Sequence, residues 1–108
     1  MSDKELCESA KKAGEESKAA LITIMKSGKE PSAADYKKML TEMGETLTTL
    51  ASAGGDSKVA TAIRQMGAEA SKAAAASNPE EAVENPAFEK AGADLTDACK
   101  TTGINVNF

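Results

Sequence analysis

Few side chains in this sequence offer chemistry. Cys7 and Cys99 are the two cysteines, one near each end, and Met39 and Met43 are four residues apart. The chain has no histidine, which removes Ser-His-Asp and Cys-His nucleophile pairs, imidazole zinc sites and histidine-ligated haem. Met39 and Met43 fall one helical turn apart and offer two soft thioethers of the kind that select Cu(I). Two sulfurs with no histidine near them fit core filling better, because flexible methionine commonly fills gaps, so no metal or cofactor is assigned. Glu15-Glu16 and Glu80-Glu81 are sequence neighbours whose side chains diverge on a helix, unlike a diiron carboxylate set. No glycine-rich phosphate loop follows a strand. Enzymatic activity is not expected.

The cysteines carry the one strong inference. A bond between Cys7 and Cys99 closes nearly the whole chain and restricts the unfolded state by roughly 4–5 kcal/mol. That is comparable with the whole stability of a small domain. The alternative is two unrelated buried thiols, but an even count with one cysteine at each end favours the bond. Disulfides persist outside the cytosol, so an exported or cell-envelope protein is expected. Met1-Ser2-Asp3-Lys4-Glu5 has neither an apolar stretch nor a small-residue cleavage pattern, so export implies a leader already removed. Lys4-Glu5-Leu6 lacks the apolar stretch that precedes a lipidated cysteine. The richest apolar run, residues 19–25, contains Thr23 and falls far short of the roughly 20 residues a membrane-spanning helix needs. The mature chain is expected to dissolve in water.

The elements that must bring the cysteines together are helices. The 108 residues make one domain, residues 1–108, and 41% are hydrophobic but only 3% aromatic, so the core is thin and built on alanine. Leu6, Ala10, Ala13, Ser17, Ala20 and Ile24 recur at steps of four and three and predict a first helix over about 3–27. Cys7, Leu21 and Met25 widen its stripe, Gly14 marks a close approach, and Gly28 ends it. Pro31-Ser32 opens a second helix, about 33–53, with Ser32 and Asp35 as an imperfect capping box. Its seam, Tyr36, Leu40, Met43, Leu47 and Leu50, is the strongest apolar repeat. After Gly54-Gly55, a cap at Asp56 or Ser57 starts a third helix, about 57–77. Its seam is Val59, Ile63, Met66, Ala70 and Ala73, with Gly67 and Ala74 beside it, and its end is nearly all small residues. Asn78-Pro79 begins a short turn, and Asn85-Pro86 begins a closing helix over about 86–102 with Phe88, Ala91, Leu95, Ala98 and Cys99 inward. In the tail, 103–108, Ile104, Val106 and Phe108 alternate with asparagines; the expectation is that it folds back over the helices or is mobile, with docking on a partner as the lesser alternative.

Four helices with short turns predict an all-α fold, an antiparallel up-and-down four-helix bundle with one N-to-C-terminal disulfide. In that topology the start of the first helix and the end of the fourth share one end, where the cysteines lie.

The net charge of −4 speaks against a nucleic-acid partner. All of the excess follows Asn78, where six acids meet Lys90 and Lys100. On the first helix Lys4, Glu8, Lys11, Glu15 and Lys18 alternate in sign; this is a solvated face or, alternatively, a charged pore lining.

Taken together, the early cysteine in Leu6-Cys7-Glu8, the late one in Ala98-Cys99-Lys100, four alanine-rich helices between them and a short tail resemble the small α-helical cell-wall channel proteins of corynebacteria, the PorB and PorC type. The resemblance spans the whole chain and rests on layout. It implies an exported subunit that self-associates into a water-filled, anion-preferring pore in the outer mycolate membrane of the cell envelope. No pore-lining residue is carried over. The competing expectation is a soluble exported helical bundle that binds a protein partner or a small apolar ligand.

Overall fold

Each helix begins where a short polar side chain can satisfy backbone N–H groups that have no partner within the helix. The computed structural model describes residues 1–106 and gives the order α1 (Asp3–Lys26), α2 (Ala33–Gly54), α3 (Lys58–Ala75), a four-residue α4 (Pro79–Ala82) and α5 (Pro86–Lys100). No strand occurs among the described residues. The expected boundaries hold to within two residues, and α4 is the expected turn after Asn78. Asn78 and Asn85 cap α4 and α5 ahead of their prolines, and Ser57, rather than Asp56, caps α3 by accepting from the Ala60 N–H at 3.0 Å. Gly28 and Gly103, both at φ +83°, turn the chain away after α1 and α5 in a region that residues with a Cβ rarely adopt.

Two capping boxes close fully. Glu5 N–H donates to the Ser2 hydroxyl at 3.2 Å while Ser2 N–H donates to the Glu5 carboxylate at 3.1 Å. Asp35 does the same with Ser32, at 3.2 and 2.9 Å. Asp35 thus fills the usual glutamate role. The backbone N–H of the capping serine holds each carboxyl below its ordinary range, and the serine hydroxyl bond adds to the effect. A carboxyl depressed in the folded state stabilises the fold above its unfolded pKa, and that contribution is lost as pH falls through the folded pKa. Acidification through the carboxylate range should therefore lower the thermal midpoint, and Glu5→Gln with Asp35→Asn should flatten that dependence in a melting series across pH.

The core lies chiefly between α2 and α3, the most extensively packed pair. Leu40, Met43 and Leu47 face a helix whose whole predicted seam, Val59, Ile63, Met66, Ala70 and Ala73, is buried. Closeness is set by two glycines. A Cβ on Gly67 would stand 3.2 Å from Thr48 N and 3.3 Å from Gly44 O, and one on Gly44 would stand 3.2 Å from Gly67 O. Leu6, Cys7 and Ala10 from α1 and Ala91, Leu95 and Cys99 from α5 complete the cluster. Gly14, too, is buried. Val106 is fully buried and Ile104 packs against the same cluster, so the tail folds back over the helices as far as it is described. The Phe108 position of the predicted alternation lies outside the described residues.

The first helix departs from its predicted seam. Leu6, Ala10 and Ala13 are buried, Ser17 and Ile24 are half-buried, and Ala20 is exposed. Met25, placed in the widened stripe by its spacing, is 54% exposed, and Ile22 is 47% exposed. The physical reason is reach: α1 packs mainly on α2 and much less on α3 and α5, so its distal half has too little opposite it to cover the stripe.

Candidate interaction site

Two features stand out, a covalent clasp and an open groove. The clasp joins Cys7 in the second turn of α1 to Cys99 in the last turn of α5, with Cα atoms 5.7 Å apart across 92 residues of sequence. Both cysteines are fully buried, and no free cysteine remains. Spacing along the helices brings them there: Cys7 follows Leu6 and Cys99 follows Leu95 by one turn, and all four side chains belong to one apolar cluster.

The groove begins where the burial of α1 fails. Past Ala13 the distal half of α1 and the first half of α2 leave between them a furrow of about 460 Å³. Its apolar walls come from Ala20, Leu21 and Ile24 on α1 and from Met39 and Met43 on α2. Its polar edge carries Glu16, Asp35 and Glu42 against a single cation, Lys38. The charge around the groove is therefore net negative. Such a volume and lining suit an apolar body with a cationic margin.

The two methionines considered as thioether ligands are brought onto one wall, but as packing groups: Met43 belongs to the buried core, and Met39 is half-buried against it. Among the described residues no group of three or more histidine, cysteine or acidic side chains could hold a metal ion. Lys4, Glu8, Lys11, Glu15 and Lys18 are all exposed, in keeping with a solvated stripe. The ion pairs found elsewhere, Lys72–Glu69 at 3.3 Å and Lys100–Asp97 at 3.8 Å, join side chains three residues apart on one helix. Such pairs contribute little to stability. Among the described residues no helix is long and apolar enough to cross a membrane.

The groove itself was not foreseen from the sequence. Its one signal was the run at 19–25, where apolar residues occupy more of the helix circumference than a single neighbour can cover. No protein-family model, no curated protein and no solved structure matches this chain.

Proposed function

We propose that the protein is a subunit of an oligomeric, ion-permeable and anion-preferring assembly of the mycolate cell envelope, exported and then fastened by the Cys7–Cys99 bond. The observation that carries this proposal is the unfinished side of the molecule. The distal half of α1 holds Ile22 and Met25 bare beside an apolar furrow, which a second protein surface would cover. Exposed apolar patches of this kind mark interaction surfaces. The clasp is consistent with an oxidising, exported location. The layout of cysteines, four long helices and short tail supports it further, with α1, α2, α3 and α5 forming an antiparallel up-and-down bundle that brings the two cysteines to one end. Because no described helix is long and apolar enough to cross a membrane, the water path would run between copies, and lipid contact would come from surfaces that assembly rearranges. The role is that of a non-enzymatic pore component.

Planar bilayers containing mycolate lipids provide the test. Oxidised protein should produce discrete conductance steps with a zero-current potential of the anion-preferring sign, and the absence of steps at any protein concentration would remove the proposal.

A second function is favoured by the groove alone: a soluble exported protein that holds a small apolar ligand between Leu21, Ile24 and Met39. It predicts a monomer in detergent-free light scattering whose methionine methyl NMR signals move on titration with an apolar ligand.

A further inference from the structure

The segment 18–29 of the chain carries Lys18, Lys26 and Lys29 and no acid, with Ile22 and Met25 as its large exposed apolar residues. Ile22, Met25 and Lys26 recur at helical steps of three and four, on a face of α1 distinct from Ala20, Leu21 and Ile24, which wall the groove. One molecule therefore displays an apolar knob with lysines at its margin and, separately, an apolar furrow with three carboxylates around it. The two surfaces are both apolar at their centres and opposite in charge at their margins.

We infer that the occupant of the α1–α2 groove is the distal segment of α1 from a second copy of this chain, with Ile22 and Met25 seated against Leu21, Ile24 and Met39 and with Lys26 and Lys29 facing Glu16 and Glu42. The inference rests on the self-association proposed above and names its contact. Charge complementarity selects this occupant: the groove edge is net negative, and residues 17–29 are the longest acid-free stretch that carries exposed apolar side chains and several lysines. Length agrees as well. The ten residues from Ser17 to Lys26 rise about 15 Å at 1.5 Å each, and the groove is lined along α1 over a comparable stretch, from Ala13 to Ile24.

The contact is head-to-tail, because donor face and acceptor groove are different parts of the surface. A head-to-tail contact repeats around a ring when its rotation closes and runs into a filament when it does not. Each copy in a ring gives one knob and receives another, leaving neither surface bare.

The test uses oxidised full-length chain in sedimentation equilibrium, with helix content and intact disulfide checked for each variant. Wild-type protein should associate reversibly, whereas Ile22→Glu with Met25→Glu should sediment as a monomer; both positions are exposed, so folding should survive. Lys26→Glu with Lys29→Glu, and separately Glu16→Lys with Glu42→Lys, should each weaken association by about tenfold at low salt. All four reversals in one chain should restore it. Independently of any variant, the Met39 and Met43 methyl NMR signals of wild-type protein should shift between dilute and concentrated samples.

Wild type that stays monomeric, association untouched by the Ile22 and Met25 changes, four reversals no better than two, or unmoved methyl signals would each overturn the contact. Failure of the channel proposal is distinguishable. Conductance that survives Ile22→Glu with Met25→Glu would remove this interface and keep the channel, and association through this contact without conductance would do the reverse.

Discussion

Replacing Cys7 and Cys99 together by alanine should cost roughly 4–5 kcal/mol of stability, from the loop of 92 residues that the bond closes. At the usual unfolding entropy per residue this is a fall of about 20 °C in thermal midpoint. The loss is large because little else fastens α1 to the rest of the chain. The helix reaches the core through Leu6, Cys7, Ala10 and Ala13, its distal half is largely exposed, and it packs far less on α5 than α3 does. Small domains have only about 5–15 kcal/mol to lose, so the unbridged protein should be marginal. Calorimetry of oxidised wild type against the double variant measures the difference. A shift of only a few degrees would mean that apolar packing, not the covalent tie, holds α1. Since both sulfurs are fully buried, mild reductant should act on the native protein only as fast as the chain opens locally.

The second large effect is expected at Gly67. Valine there should destabilise the protein by about 3 kcal/mol, at the upper end of ordinary overpacking. Glycine within a helix costs up to about 1 kcal/mol relative to alanine, so alanine, and valine to a smaller extent, gains something in propensity. Against that gain, a Cβ on Gly67 meets Thr48 N at 3.2 Å and Gly44 O at 3.3 Å, both backbone atoms of α2 that cannot rotate away. The Thr48 hydroxyl, at 2.9 Å, can rotate. Alanine should therefore come out near neutral, its propensity gain offsetting a few tenths of an ångström of displacement. Valine adds two further carbons and forces α2 and α3 apart along the seam that buries Leu47 and Ile63. Chemical denaturation of the glycine, alanine and valine series should show a small first step and a large second one. Equal steps would locate the closest helix approach elsewhere.

The parts of this molecule that were legible in its sequence are those where one helix face meets one continuous partner. The third helix is the clearest case, because Val59, Ile63 and Met66 supply a strong repeat and α2 lies opposite all of it. The cysteine pairing was legible for a different reason: the chain has two sulfurs, one near each end, so each has a single candidate partner, and they lie in the first and last helices. The distal part of α1 was not legible. Periodicity says which face of a helix is apolar and nothing about how far along its length a neighbour extends, so Ala20 and Met25 read as buried when they are exposed. Gly44 was equally silent. Glycine carries no hydrophobic signal, and it sits within the run from Leu40 to Leu47, whose larger residues dominate the pattern. The groove follows from these two omissions, for it exists where α1 outruns its support and α2 is drawn tightly to α3.

The proposed export and envelope location rest on the covalent tie as it exists in the organism, and the same tie fastens the base of α1 to α5. Protein isolated from its native source under acid quench should be alkylated and weighed intact before and after reduction. The expected result is no label at Cys7 or Cys99 before reduction and two labels after it. Two labels on the unreduced protein would contradict the tie and remove the reason for placing this chain outside the cytoplasm.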